Sequence, residues 1–252
     1  MRDYSFKQRK KVIAKRPIFI CGLPDSGLVA KIAVDHVIEF LKASRIGDIY
    51  SPYLPPQVLV RDNGVSELTG HQVYYAGKEN LVIYTGDSQP VDGEGAYKLS
   101  EFIIKLAKQY RAREIIILAA LIKGATVEDP QVVASAESEK HLDEYTSLGV
   151  RKTGTGSITW MHGLILGEAV KVGMKAVCLS GETKGDVPDP KAATALLKVI
   201  EKRLGMKYGT VKVEWLIERI LALLQAEEIM WVMQDRLVAI NAGPSRGRSG
   251  LV

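Results

Sequence analysis

The chain has 252 residues, of which 46% are hydrophobic and 25% charged, and this composition is typical of a globular protein with a full core rather than a disordered one. The longest uninterrupted apolar stretch, Ile115 to Ile122, is far shorter than the roughly 20 residues that a membrane span requires. No apolar segment follows the basic start, and Cys21 and Cys178 lie inside apolar runs, so we expect a cytoplasmic protein without disulfides.

The formal net charge of +5 is distributed unevenly along the chain. Residues 1–16 carry a net charge of +6 and residues 236–252 a net charge of +3, so the segment between them is acidic. A nucleic-acid binder usually concentrates its basic residues on one face of the fold. We therefore predict a flexible basic N-terminus at 1–15, a flexible tail at 236–252, and no nucleic-acid partner.

The globular part is predicted to begin with a strand, a turn and a helix. Ile18 to Ile20 form a short β-prone run that Gly22 and Pro24 end. From Ser26 the apolar residues recur at helical spacing as far as Leu41. This order is the βα unit of a parallel sheet.

The same order of strand and helix recurs along residues 16–208. Predicted strands occupy Leu81–Thr85, Glu114–Leu121 and Ala176–Ser180, and helices follow near Leu99–Tyr110, Trp160–Val172 and after Asp189. We expect Glu114–Leu121 to be the most buried strand because it is continuously apolar. Residues 52–76 suggest an added antiparallel hairpin at a sheet edge. The predicted fold is α/β, a three-layer sandwich with a mostly parallel central sheet.

A long helix is predicted at residues 209–235, after the α/β domain. Its apolar residues cover more than the single face that packing on one domain requires. We predict a symmetric homo-oligomer through this helix, and the alternative is a helix wedged in the core. The candidate interface residues are Leu216, Ile220, Leu223, Leu224 and Trp231.

Three loops that follow predicted strands are candidates for a ligand pocket, because α/β sheets bind ligands at the carboxyl ends of their strands. They are CGLPDSG, GDSQP and GETKG, and the candidate residues are Gly22, Asp25, Ser26, Asp87 and Glu182. Gly22 and Gly27 have the spacing of a phosphate loop, but Leu28 and Val29 replace its lysine and hydroxyl. A structural turn and a residual anion site both remain open.

No catalytic or metal-binding set can be assembled from the sequence. His162, in the segment TGTGSITWMHGLILGEA, has no second ligand or orienting acid at a suitable spacing. Gly163 and Gly167 share a helix face and favour close packing of a neighbouring backbone. Glu182 could act in acid–base chemistry or remain a solvated loop residue, and Asp189 is placed to cap a helix. We predict no cofactor and no metal.

Several segments, taken in order, resemble the proteasome assembly chaperone family of archaea and eukaryotes. They are ICGLPDSGLVAKIAVDHVIEFL, PPQVLVRDNGVSELTGHQVYY, LVIYTGDSQP, EFIIKLAKQYRAREIIILAALI, TGSITWMHGLILGEAVKVGMKAVCLSGETKG and DPKAATALLKVIEKRLGM. Each motif alone is weak, but their order from about Arg16 to Tyr208 is specific.

The resemblance implies a fold akin to nucleoside phosphorylases, oligomerisation, and a non-enzymatic role with proteasome α-subunits or a second assembly-chaperone paralogue. Family members that dock on the proteasome ring carry a C-terminal hydrophobic-Tyr-any tripeptide, whereas this sequence has Leu251 before Val252. Direct docking and action through a partner therefore both stay open. The alternative function is a phosphorylase- or hydrolase-like enzyme that acts on a small metabolite.

Overall fold

A computed structural model describes residues 3–60 and 64–208, which form eleven strands and five helices. The strands are β1 Ser5–Gln8, β2 Ile18–Gly22, β3 Ser44–Tyr50, β4 Val58–Val60, β5 Ser66–Leu68, β6 His71–Ala76, β7 Leu81–Gly86, β8 Glu114–Ile122, β9 Val132–Ala136, β10 Arg151–Lys152 and β11 Ala176–Thr183. The helices are α1 Val29–Phe40, α2 Gly93–Gln109, α3 Glu139–Thr146, α4 Trp160–Lys171 and α5 Pro190–Leu204. The helix predicted at 209–235 and the tail at 236–252 lie outside the described residues.

Nine of the strands form one sheet in the order β1-β3-β6-β7-β2-β8-β11-β9-β10. The four central strands, from β7 to β11, are parallel, and so is the outer pair β9-β10. The pairings β1-β3, β3-β6, β6-β7 and β9-β11 are antiparallel. The sheet is therefore mixed, and the predicted parallel pairing is found among its four central strands and in the outer pair β9-β10.

Helices cover both faces of the sheet, which confirms the α/β class and the layered arrangement. Helices α1 and α5 pack together on one face, and α2 and α4 pack together on the other. A Cβ atom at Gly22 would lie 2.8 Å from the carbonyl oxygen of Ala30, so the glycine lets α1 approach β2 closely. The proposed likeness to nucleoside phosphorylases stays a prediction.

Local sequence determines where helices α1 and α5 begin. A short 3₁₀ turn at Ser26–Leu28 precedes α1, and Gly27 there has a φ of 69°. The Asp25 carboxylate accepts a hydrogen bond from the Ala30 backbone N–H. At the start of α5 the Asp189 carboxylate accepts a hydrogen bond from the Ala192 N–H, and Pro190 occupies the first turn. The predicted role of Asp189 as a helix cap is confirmed.

The N-terminal segment predicted to be flexible is ordered in part. Residues 5–8 form edge strand β1, which pairs antiparallel with β3. The Phe6 ring lies over Gly47, which has no side chain to obstruct it, and packs against Phe102. Arg9 forms an ion pair with the buried carboxylate of Asp48. This strand could not be predicted from the basic segment alone, because only the tertiary structure brings Gly47 to Phe6 and Asp48 to Arg9.

The predicted hairpin at residues 52–76 is divided between two sheets. Strands β4 and β5 pair only with each other, as a separate two-stranded ribbon. The segment HQVYYA, by contrast, is inner strand β6 of the main sheet, between β3 and β7.

The expectation that Glu114–Leu121 is the most buried strand also needs correction. All eight residues of β11 are buried, whereas the last residues of β8 are partly or fully exposed.

Candidate functional site

The three predicted pocket loops do converge at the carboxyl ends of the central strands. The Asp189 backbone N–H donates to the Gly27 carbonyl oxygen at 2.8 Å, which joins the CGLPDSG turn to the loop after β11. The Gln89 side-chain amide donates to the Pro24 carbonyl oxygen at 2.7 Å, which joins the GDSQP loop to the same turn. The polar groups of these loops are therefore largely engaged with one another.

Asp25 is at the centre of this convergence, but its carboxylate serves the fold. Both of its oxygens face the Ala30 N–H, at 3.1 and 3.3 Å. Burial raises the pKa of Asp25 well above its usual value, although backbone hydrogen bonds act in the opposite direction. Ser26 lies beside Gly185 of the facing loop. Gly22 packs against α1, so this part of the predicted pocket is a structural turn.

The carboxylates of the two remaining candidate residues are engaged by other groups of the fold. The Asp87 carboxylate accepts hydrogen bonds from the Gly70 N–H at 3.2 Å and from the Gln72 amide at 3.0 Å, which fixes the loop before β6. The Glu182 carboxylate accepts a hydrogen bond from the Arg151 guanidinium at 2.7 Å and lies 3.6 Å from the Lys123 ammonium.

Strand alternation separates Glu182 from the CGLPDSG turn. The hydroxyl of Thr183, the next residue of β11, lies near Gly27, and side chains of successive strand residues point to opposite faces. The Glu182 side chain therefore lies on the α2–α4 face, and the acid–base pairing considered for it has no counterpart on the turn.

The buried histidines near this edge are unsuited to act as bases. Burial lowers the pKa of His162 to about 4, although a hydrogen bond to the Leu23 backbone acts in the opposite direction. Its Nε2 atom has no hydrogen-bond partner in the described part of the chain. Burial likewise lowers the pKa of His71 to about 4, and its two ring nitrogens contact the Tyr84 hydroxyl at 2.6 Å and the Ser88 carbonyl oxygen at 2.8 Å. Both rings are neutral and enclosed.

A buried ionic cluster occupies the opposite edge, where β8 and β11 begin. The Glu114 carboxylate accepts from the His141 ring at 2.7 Å, from the Tyr145 hydroxyl at 2.6 Å and from the Arg203 guanidinium at 2.7 Å. The other nitrogen of His141 contacts Glu137 at 2.6 Å. A neutral imidazole has one N–H donor, so a ring held between two carboxylates carries both protons.

The members of this cluster come from distant segments, namely strand β8, a residue shortly before α3, helix α3 itself and the end of α5. No local sequence pattern therefore indicates the cluster. Glu114, His141 and Tyr145 are each no more than 1% exposed. A substrate cannot reach groups that are this enclosed, so the cluster holds elements together and is not a reaction site. No group of described residues combines three histidine, cysteine or acidic side chains in a way that could hold a metal ion.

A cavity of about 520 Å³, which we call the α4 groove, lies on the α2–α4 face near the sheet edge. Its apolar lining includes Leu121, Val133, Leu166 and Val170. The segment 153–158, TGTGSI, and Gly163 and Gly167 of α4 also line it. The groove is thus assembled from the glycine-rich segment singled out in the sequence, whereas the predicted pocket loops are elsewhere.

The two α4 glycines have different roles in this groove. A Cβ atom at Gly163 would lie 1.8 Å from the Ile158 carbonyl oxygen, so the predicted close approach of a neighbouring backbone is confirmed there. A Cβ atom at Gly167 would meet nothing within 4 Å. Gly167 leaves open space and widens the groove.

The β4–β5 ribbon is a second uncovered feature. Val58, Val60 and Leu68 are each more than half exposed, at 56%, 68% and 56%. Val58 pairs directly with Leu68, and Val60 is two residues further along the same strand, so all three side chains lie on one face of the ribbon. This apolar face is a candidate protein contact.

The predicted oligomer interface cannot be located in the structure. Its residues Leu216, Ile220, Leu223, Leu224 and Trp231 lie outside the described residues. Among the helices that the structure describes, none is long and apolar enough to cross a bilayer. Two candidate contact surfaces that the described residues offer are the α4 groove and the apolar face of the β4–β5 ribbon.

Comparison with known proteins gives matches along most of the chain. The crystal structure of Pyrococcus furiosus PbaB, described as an archaeal proteasome activator, matches with a TM-score of 0.78 and 31% identity, over 93% of this chain and 100% of PbaB. That of Pyrococcus furiosus PbaA, described as an archaeal homologue of proteasome-assembly chaperone, matches with a TM-score of 0.74 and 29% identity, over 96% of this chain and 97% of PbaA.

Sequence relatives agree with these structures. The uncharacterised protein MJ1210 of Methanocaldococcus jannaschii is 31% identical over 233 residues, which are 90% of this chain and 88% of that protein. The sequence pattern of the PAC2 family matches residues 19–228. The match spans every strand after β1, both helical layers and the glycine-rich segments from which the fold was predicted, and the chain belongs to the PAC2 family.

Proposed function

We propose that this chain is a non-enzymatic, homo-oligomeric assembly chaperone or scaffold that binds proteasome α-subunits or a second assembly-chaperone paralogue. One observation carries the proposal: the likeness to PbaB and PbaA extends over more than nine-tenths of this chain at about 30% identity. A likeness over the whole chain includes the surfaces through which a scaffold acts. It is more informative than a likeness of the core alone, because proteins with unrelated functions can share one fold.

The chemistry of the described residues supports binding over catalysis. Asp25 caps a helix, His162 is buried and neutral, and Glu182 is engaged by Arg151. A catalyst needs a nucleophile or base that substrate can reach together with an orienting partner. The accessible features are instead an apolar ribbon and a groove, which suit a protein partner.

The first test is complex formation. Purified chain is mixed with proteasome α-subunits from the same organism, and separately with a second family member, before size-exclusion chromatography with light scattering. We expect co-elution with at least one of the two, because each is a partner that the family implies. An unrelated protein of similar mass serves as the control. Separate elution from both candidates would contradict the proposed function.

Self-association is tested on the chain alone. Light scattering is expected to give at least twice the 27.7 kDa chain mass. A charge placed in an apolar contact is costly to desolvate, so Ile220→Asp and Leu224→Asp in the predicted helix should each reduce that mass. A monomer at high micromolar concentration would contradict the oligomeric part of the proposal.

The enzyme alternative makes an opposite prediction. A phosphorylase- or hydrolase-like enzyme would turn over nucleosides, nucleotides or simple esters, and Asp25→Ala or Glu182→Ala would abolish that turnover. We expect no turnover by the purified protein, because neither carboxylate has a reaction partner among the described residues. Activity that survives purification and is lost in either variant, but not in the exposed-residue variant Lys191→Ala, would favour the enzyme.

A further inference from the structure

A third surface lies at the edge of the sheet where strands β7, β2 and β8 begin. The first residues of these three parallel strands are in register, so the turns directly before them are neighbours. These turns, residues 77–80, 14–17 and 110–113, contain one acidic residue and five basic ones. We call the five basic residues the basic strip: Lys15, Arg16, Lys78, Arg111 and Arg113.

The charge of the basic strip is not balanced within the described part of the chain. Elsewhere several exposed lysines pair with acids, since Lys123 lies 3.6 Å from Glu182 and Lys191 lies 2.9 Å from Glu128. All five side chains of the strip are exposed, and none has an ion-pair partner within residues 3–60 and 64–208. Five unpaired cations beside one carboxylate, that of Glu79, attract an anionic partner.

Helix capping does not explain this charge. A cation at Arg111 is favoured by the dipole of helix α2, which ends just before it. Arg16 precedes a strand instead, and its φ of 51° lies in the left-handed region, where glycine is the least strained residue. The chain therefore has an arginine at a strained position that no helix end requires.

Hydrogen bonds between the turns hold the strip together. The Asn80 side-chain oxygen accepts a hydrogen bond from the Lys15 N–H at 3.2 Å, and the Asn80 amide donates one to the Lys15 carbonyl oxygen at 2.8 Å. The Arg113 N–H donates to the Pro17 carbonyl oxygen at 2.9 Å. The three turns are thus bonded to one another, and a partner that binds their cations does not have to order their backbones.

The size and the neighbours of the strip favour carboxylates over nucleic acid as the ligand. From β7 to β8 there are two strand spacings, or about 10 Å, and carboxylates at alternate residues of an extended peptide are about 7 Å apart. Two or three of them can therefore reach the strip. Bases of single-stranded nucleic acid stack on aromatic side chains. Tyr75 and Tyr110, which adjoin two of the turns, instead pack against the core.

We infer that the basic strip binds an acidic segment of a partner protein, whose carboxylates contact the exposed ammonium and guanidinium groups. Complementary charge of this kind orients a partner and speeds its association. The inference rests on the proposed protein-binding function and specifies the chemistry of one contact surface.

Binding of a defined acidic peptide to the full-length chain tests this inference. The probe is a fluorescein-labelled dodecapeptide of alternating glutamate and serine, followed by fluorescence anisotropy, and the same peptide with glutamine in place of glutamate is the uncharged control. We expect only the glutamate peptide to bind, with an affinity that falls as salt is added. Arg113→Glu and Lys78→Glu should each weaken binding by about fivefold or more, because each reverses one charge of the strip.

Two control variants separate the strip from net charge. Lys198→Glu reverses an exposed charge in the middle of α5, and Arg246→Glu reverses one in the basic tail, so both should leave the affinity unchanged. Equal weakening in all four variants, or no binding by the parent chain, overturns the inference. Tighter binding of a single-stranded DNA oligonucleotide of equal charge also overturns it, because the strip would then select phosphates.

Light scattering distinguishes a partner protein from a second copy of this chain. Arg113→Glu and Lys78→Glu change exposed side chains, so both variants should keep the melting temperature and the mass of the parent chain. A lower mass in either folded variant would mean that an acidic surface of a second copy covers the strip, and it would overturn the inference. Because no proteasome subunit is present, failure here leaves the co-elution test of the proposed function unaffected.

Discussion

The two ends of the central strands differ in how their polar groups are satisfied. At the amino ends, Glu114 is held by His141, Tyr145 and Arg203, and every contact is made inside the fold. Near the carboxyl end of β8 and the amino end of β9, the α4 groove has few charges, and the five consecutive backbone N–H groups of residues 154–158 have no acceptor in the described residues. The polar groups of the cluster at the first, closed end are satisfied inside the fold, whereas those of the second end are accessible.

This difference shows that the perturbed ionisable groups lie away from two candidate contact surfaces, the α4 groove and the ribbon. Strongly shifted pKa values often indicate an active site. In this protein the shifted carboxylate and histidine are enclosed and bind together β8, α3 and α5, so they stabilise the fold. The open features are apolar side chains and backbone donors, which are compatible with the proposed role in binding other chains.

The largest expected effect is on stability at the closed end. Glu114→Gln removes the charge that balances Arg203 and protonated His141, and both cations remain buried or partly buried. Breaking a buried ion pair on one side costs about 3 to 5 kcal/mol. We therefore expect the free energy of unfolding, measured by urea denaturation, to fall by about 3 kcal/mol.

Glu101→Gln is the matched control, because Glu101 is half exposed and its oxygen is 3.7 Å from the Lys105 ammonium. Exposed pairs of this kind contribute about 0 to 1 kcal/mol. Equal losses in the two variants would contradict the view that the closed end supports the fold.

A pair of substitutions on one helix tests the walls of the open groove. Gly163→Ala forces a Cβ atom against the Ile158 carbonyl oxygen, and such overpacking costs about 1 to 3 kcal/mol. Gly167→Ala meets nothing within 4 Å and should stabilise the helix by about 0.5 to 1 kcal/mol. Thermal unfolding of both variants measures the difference, and destabilisation by Gly167→Ala would show that the groove is occupied within the chain.

The pH dependence of stability should be smaller, and it comes from His141. Burial lowers the pKa of His141, but hydrogen bonds with Glu114 and Glu137 outweigh burial and raise it above 6.5. A raised pKa means that the folded state binds the proton more tightly, so this stabilisation is complete below pH 6.5 and is lost as pH rises through the folded pKa. Urea denaturation of the parent chain should show falling stability above pH 6.5.

His141→Gln should flatten that decline. His71 and His162 have pKa values lowered to about 4, so their contribution to stability rises with pH between about 4 and 6.5 and is constant above it. They therefore do not interfere above pH 6.5. For Glu114, burial raises the pKa, but its three hydrogen bonds outweigh burial and lower it to about 2, so its stabilisation is lost only in acid, below about pH 4.5. An unchanged decline in His141→Gln would contradict the assignment.

Much of the architecture could be predicted from local patterns. The apolar runs at Ile18 and Leu81 became β2 and β7, and Asp189 followed by Pro190 started α5, because strand burial and helix capping depend on neighbouring residues. The glycine-rich turns and their order were specific enough to identify the family. These are properties that a sequence carries within a window of a few residues.

Long-range contacts were decided only by the tertiary structure. Residues 5–8 became a strand because Gly47 and Asp48 receive Phe6 and Arg9. Glu182 was placed on the sheet face away from Asp25 because alternation along β11 fixes which side chain faces which layer. The Glu114 cluster and the α4 groove likewise join segments far apart in the chain. The sequence by itself thus determined the four central strands, helices α1, α2, α4 and α5, and the family. Packing determined which polar groups are enclosed and which stay open, because that choice depends on neighbours that only folding brings together.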